Sequence, residues 1–226
     1  LSDTYLKMVE TDPYDVYALR RLLEVSKAPG SVNRLLKRYA ARVELSPTDR
    51  VGWAMMGHLR RASDDTTGAV EAFEHLASIS PSDARPWRAV AEIWRGARRW
   101  EPMLRAYQSA LNLTKKPDLK GPLYEEAAEA ALDAERKDQA LLWLAEYRAS
   151  RPRSAMTAMN SAELLSRFGH REAALEAWRY AEEKSRSRLS EQVVIWRHMG
   201  SLLEEMDQLV EAERVWRNAM KKAPAK

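Results

Sequence analysis

Four histidines, His58, His75, His170 and His198, are the side chains best suited to hold a metal ion or shuttle a proton, and their spacing favours neither role. They lie far apart in the chain. No HExxH pairs two of them on one helix face, and no glycine-rich phosphate loop or GxSxG nucleophile turn occurs. With no cysteine, zinc knuckles, thiol catalysis and disulfide frameworks are excluded. The carboxylate pairs Glu125-Glu126 and Glu204-Glu205 are sequence neighbours. On a helix such neighbours diverge by about 100° and do not face one another across a substrate. The expectation is a chain with no catalytic residue, no metal site and no cofactor.

Arginine and tryptophan remain as the residues that could recognise a partner. Residues 85–105 hold six arginines against Glu92 and Glu101, whereas residues 115–146 hold five basic and eight acidic residues. Arginine grips carboxylates with two parallel hydrogen bonds, so the first stretch suits an anionic segment. Overall the charge is close to balance, 37 basic against 33 acidic residues, which by itself implies no polyanion partner. Arg95, Arg98, Arg99 and Trp100 are the residues that could stack on nucleotide bases. The longest apolar run, residues 51–57, is far short of the roughly 18 residues of a membrane span.

These side chains must be positioned by a repeating frame. Trp53 recurs as Trp87 and Pro47 as Pro81, each 34 residues on, and the same step back from Pro47 reaches Pro13. A fixed period of this length marks stacked helix pairs. Leu19, Leu22 and Leu23 give the i, i+3, i+4 stripe of an amphipathic helix, which Ala28-Pro29-Gly30 then breaks. Asp15, Asp49 and Asp83 stand two residues after the prolines, each an expected helix N-cap worth about 1 kcal/mol. Gly57, Ala91, Ala128, Ala162 and Gly200 form one column of short side chains, and Ala69, Ala140, Ala174 and Ala212 a second. Short residues let facing helices approach, and stacking then buries stripes that no pair could bury alone. Leu23 breaks the first column. Trp53, Trp87, Trp178, Trp196 and Trp216 fall in repeat columns and are expected in the core, whereas Trp94, Trp100 and Trp143 do not.

Within residues 47–87 the order Trp53, Gly57, Ala69, Phe73, Pro81 resembles the tetratricopeptide repeat (TPR), and the resemblance extends over nearly the whole chain. It implies an all-α, right-handed superhelical solenoid of antiparallel helix pairs. The units would be a truncated second half at 1–13, full repeats at 14–47, 48–81, 82–117, 118–152 and 153–188, the last with an irregular end, and a final repeat at 189–226, all in one solenoid cut from a longer array. The inserted stretch 182–190 predicts a longer second helix or a looser joint.

The resemblance further implies a non-enzymatic protein-interaction scaffold whose first helices line a concave groove. The groove residues would be Tyr17, Arg20, Lys27, His58, Arg61, Arg85, Arg88, Glu92, Arg95, Glu125 and Glu129. Chaperone-tail binding is disfavoured, because Arg20/Glu24, Arg88/Glu92 and Glu125/Glu129 put glutamate where that subgroup holds a carboxylate with asparagine. The cysteine-free, Ala/Leu/Arg-rich composition is similar to bacterial arrays, among them periplasmic segments of Pel, alginate and cellulose export proteins. That would make the partner a polymer-modifying enzyme or a secretion component and the compartment periplasmic. The Trp- and Arg-rich half-a-TPR scaffolds of RNA processing are the alternative, opposed by the even charge and the 34-residue period. End-to-end self-association is expected where an apolar stripe meets no further repeat.

Overall fold

The computed structural model describes residues 2–26, 30–186 and 188–222. Among them are thirteen α-helices and no strand. Two compact units divide the chain at Lys115/Lys116. The first holds α1 (Ser2–Thr11), α2 (Val16–Val25), α3 (Ser31–Leu45), α4 (Arg50–Ala62), α5 (Thr66–Ile79), α6 (Arg85–Gly96) and α7 (Trp100–Leu113). The second holds α8 (Pro117–Asp133), α9 (Lys137–Ser150), α10 (Ala155–Arg167), α11 (Arg171–Lys184), α12 (Leu189–Glu205) and α13 (Leu209–Lys222).

In the first unit α4 packs on α5 and α6 on α7 as antiparallel pairs, with α3 against α4 and α5 against α6. In the second, α8/α9, α10/α11 and α12/α13 are the pairs, with α11 against α12. One turn design closes five of these pairs. Asp64, Arg98, Glu135, Gly169 and Asp207 each take a positive φ between 53° and 75° just past the first helix. The next residue's N–H then reaches back five positions: Asp65 to Arg60, Arg99 to Trp94, Arg136 to Ala131, His170 to Leu165 and Gln208 to Leu203, at 2.8–3.0 Å. This left-handed cap satisfies carbonyls that the helix end would otherwise orphan. Only Gly169 adopts it without crowding a Cβ.

Both small-residue columns are buried. Ala91, Ala128, Ala162, Ala69, Ala140 and Ala174 are fully buried, and Ala212 nearly so. At Gly57 an added Cβ would sit 2.5 Å from the Phe73 ring, and at Gly200 it would strike the Trp216 indole. The glycine of the first helix and the aromatic of the second, 16 residues on, therefore interlock. Large side chains fill the space beside these contacts: Tyr39, Phe73 and Tyr107 in the first unit, Trp143, Trp178 and Trp196 in the second.

Several expectations need correcting. Asp15 and Asp49 cap α2 and α4 by accepting from the N–H three residues on, Ala18 and Gly52. Asp83 does not. Its third residue on is Pro86, which has no N–H, so α6 starts one residue later and Asp83 binds Arg85 through backbone and guanidinium. Trp143, set apart from the core by its position, is among the most deeply buried side chains. Trp53, Trp87 and Trp216 are only half-buried; the Trp53 indole donates to the Pro47 carbonyl and that of Trp216 to Glu204. The insertion at 182–190 does not lengthen α11, which has 14 residues like α5, α7, α9 and α13; α12 instead runs to 17.

Helix α2 departs from the pairing rule. Among the described residues it packs on α1, and no extensive contact joins it to α3. Leu23 occupies the position that Gly57 and Ala91 hold in the next two first helices, and a side chain of that size bars a close approach. Tyr5, Val9, Ala18 and Leu22 instead pack, through side chains, with Tyr39, Met55, Met56 and Leu59.

Candidate interaction face of the first unit

An open cavity of about 490 Å³ lies between α2 and α4, with Leu23 on its wall. Leu19, Leu23 and Ala62 make its apolar wall, and Arg20, Glu24, Arg61 and His58 its polar edge. Arg20, His58 and Arg61, three residues expected in a groove, thus come together here. Arg61 also reaches Glu92 on α6 at 3.1 Å, and Arg88 approaches the same carboxylate at 3.5 Å. Arg20 and Glu24 on α2, Arg61 on α4, and Arg88 and Glu92 on α6 therefore line one face, three guanidinium groups against two carboxylates. These pairs are solvent-exposed and worth no more than about 1 kcal/mol each, so an incoming carboxylate can recruit the arginines at little cost.

His58 is the unusual member. Its Nε2 is buried and has no hydrogen-bond partner among the described residues. Burial, reinforced by the Arg61 charge and opposed by the Pro13 backbone, lowers the His58 pKa from 6.5 to about 4. The ring is therefore neutral at pH 7. Tyr14 and Phe73 stand edge-on to it at 5.5 and 5.0 Å.

The remaining expected groove residues fall into separate groups. Tyr17 is exposed on α2, edge-on to Tyr5 at 6.2 Å. Arg85 opens α6 and is held by Asp83 at 2.7 Å and Asp12 at 3.5 Å. Burial pushes the Asp83 carboxyl up, but the Arg85 hydrogen bonds prevail and hold it below the usual carboxylate range. Arg95 lies half-buried in the last turn of α6. In the second unit Glu125 accepts from Asn160 at 2.6 Å, and Glu129 pairs with Arg167 at 3.0 Å. Lys27 lies outside the described residues. The Arg99 guanidinium covers the Trp94 ring, 5.9 Å from its centroid.

Sequence reasoning missed the apolar wall, because Leu19 and Leu23 read as packing stripe; the one signal was the size of Leu23 in a column of small residues. Among the described residues no group of three or more metal-ligating side chains occurs, and no helix is long and apolar enough to cross a membrane.

No protein-family model matches the sequence, and no curated protein matches it. Solved structures do match. One is PilF of Pseudomonas aeruginosa, at TM-score 0.52 and 13% identity over 93% of this chain and 88% of that one. A crystal structure of MamA matches at TM-score 0.50 and 13% identity, over 72% of this chain and 94% of that one. YrrB, described as a TPR protein with an unusual peptide-binding site, reaches 0.47 at 15% identity over 84% and 97%. The fold is a TPR-type array. In this array the 34-residue step from Trp53 to Trp87 is the step from α4 to α6, and the buried small-residue columns are the seams between paired helices.

Proposed function

We propose that the chain is a non-enzymatic protein-interaction scaffold, and that the face built by α2, α4 and α6 takes an extended, carboxylate-bearing segment of a protein partner. The observation that carries this reading is the cavity beside His58. It joins the apolar wall of Leu19, Leu23 and Ala62 to Arg20 and Arg61 on neighbouring helices. An extended peptide offers both complements: an apolar side chain for Leu19 and Leu23, and a carboxylate for the arginines. The narrower placement, in exopolysaccharide export with a polymer-modifying enzyme or secretion component as partner, rests on composition alone.

The test is fluorescence anisotropy with a panel of labelled extended peptides, half bearing aspartate or glutamate and half their amides. Carboxylate peptides should bind the wild type, and Arg20→Glu combined with Arg61→Glu should weaken them at least about tenfold, the equivalent of 1.4 kcal/mol. Binding that ignores the charge reversal, or no binding by any member of the panel, would refute the assignment.

A further inference from the structure

The loop between α1 and α2 lies across this same face. Asp12 and Tyr14 meet Arg85, more than seventy residues away in sequence. The Arg85 guanidinium covers the Tyr14 ring at 4.7 Å and reaches Asp12 at 3.5 Å. On its other sides the Tyr14 ring stands edge-on to His58 at 5.5 Å and tilted against Phe73 at 6.4 Å. Three elements, α4, α5 and the start of α6, thus form a socket for one aromatic ring with a carboxylate two residues before it. The fit is imperfect in a particular way. Among the described residues the buried Tyr14 hydroxyl has no partner, and neither does His58 Nε2. A side chain meant to stay in a core has such atoms satisfied. The ion pair at the edge of the loop is weak, since both Arg85 and Asp12 are more than half exposed.

We propose that the His58–Phe73–Arg85 socket is a recognition site for an aromatic residue preceded by an acidic one, and that Asp12 and Tyr14 occupy it as a displaceable intramolecular ligand. The proposal rests on the interaction-face reading and names the partner chemistry of that face. Tethering gives the loop an effective concentration in the millimolar range, so a free peptide with the same contacts is outcompeted until it binds more tightly. A phenylalanine in place of the tyrosine supplies that margin, because it buries no orphan hydroxyl.

The probe is a fluorescein-labelled nonapeptide of residues 9–17 carrying Tyr14→Phe, titrated into the 226-residue chain. Tyr14→Ala in the protein empties the socket and should tighten peptide binding at least about tenfold over wild type. Tyr14→Phe in the protein should fill it better and weaken peptide binding. Arg85→Gln added to Tyr14→Ala should abolish the gain. Equal affinity for the wild-type, Tyr14→Ala and Tyr14→Phe proteins would overturn the proposal. So would failure of the peptide to bind a Tyr14→Ala protein whose circular dichroism is unchanged. Should Tyr14→Ala lose helicity, the comparison of wild type with Tyr14→Phe decides alone, and an unchanged affinity there refutes it. If the carboxylate panel still binds through Arg20 and Arg61 while these results fail, the socket falls and the interaction face stands. If the panel fails too, both fall.

Discussion

Replacing Gly57 by alanine sets two known effects against each other. In a helix interior alanine is favoured over glycine by about 1 kcal/mol. Against that, the new methyl carbon would lie 2.5–2.8 Å from three carbons of the Phe73 ring. Ordinary contact needs roughly 3.5–4.0 Å, so about 1 Å of separation must be found. Phe73 cannot yield it cheaply. It is fully buried, with His58 edge-on to it and Tyr14 beyond. Overpacking of this kind costs about 1–3 kcal/mol, so the net expectation is a loss of about 1–2 kcal/mol once the helix gain of about 1 is set against the upper half of that range. The assay is urea denaturation followed by helical circular dichroism, and the midpoint should fall at unchanged slope. Gly96 supplies the control. Among the described residues nothing lies within 4 Å of its added Cβ, so Gly96→Ala should be neutral or slightly stabilising. Combining Gly57→Ala with Phe73→Leu should cost less than the sum of the two changes, since a smaller residue relieves the clash. A Gly57→Ala protein as stable as wild type would refute the idea that these helices meet through missing side chains.

The other expectations follow from single residues. The His58 pKa is depressed, so the unfolded chain takes up its proton first as pH falls. Its contribution is intact above about pH 6.5, is lost between there and pH 4, and amounts to at most about 3 kcal/mol. Stability measured across that window should flatten in His58→Gln, and an identical slope would contradict the buried, neutral ring. Asp49→Ala removes both the cap on Gly52 and the pair with Arg42 and should cost about 1–2 kcal/mol. Asp83→Ala, which loses the Arg85 contacts but no bond to the third residue on, should cost less, and equal losses by thermal melts would show the Pro86 argument to be wrong. Glu135→Gly should stabilise by about 0.5–1 kcal/mol by relieving a left-handed backbone, whereas Gly169→Ala should destabilise by about 1 kcal/mol. Opposite signs in the denaturation midpoints are the result to look for.

Most of the helix-pair frame was readable from local features. Period, caps at Asp15 and Asp49, and the small columns depend on spacing within a few turns, and burial follows from them. Asp83 misled because the cap depends on a donor three residues on, and Pro86 takes that donor away. Trp143 misled because a residue's column says nothing of how deeply a neighbouring helix covers it. Of the candidate face, the sequence already grouped Arg20, His58 and Arg61. The rest depends on a loop crossing to Arg85, and no local pattern encodes a contact of that range. Leu23 was the single hint: a large residue in a column of small ones marks a first helix that does not pair closely with its second.

The most direct measurement is an amide chemical-shift map of the isotope-labelled chain titrated with a carboxylate-bearing extended peptide. Perturbations clustered on the amides of Arg20, Leu23, His58, Arg61 and Glu92 are the predicted result. Shifts scattered over both units, or confined to helices other than α2, α4 and α6, would contradict it.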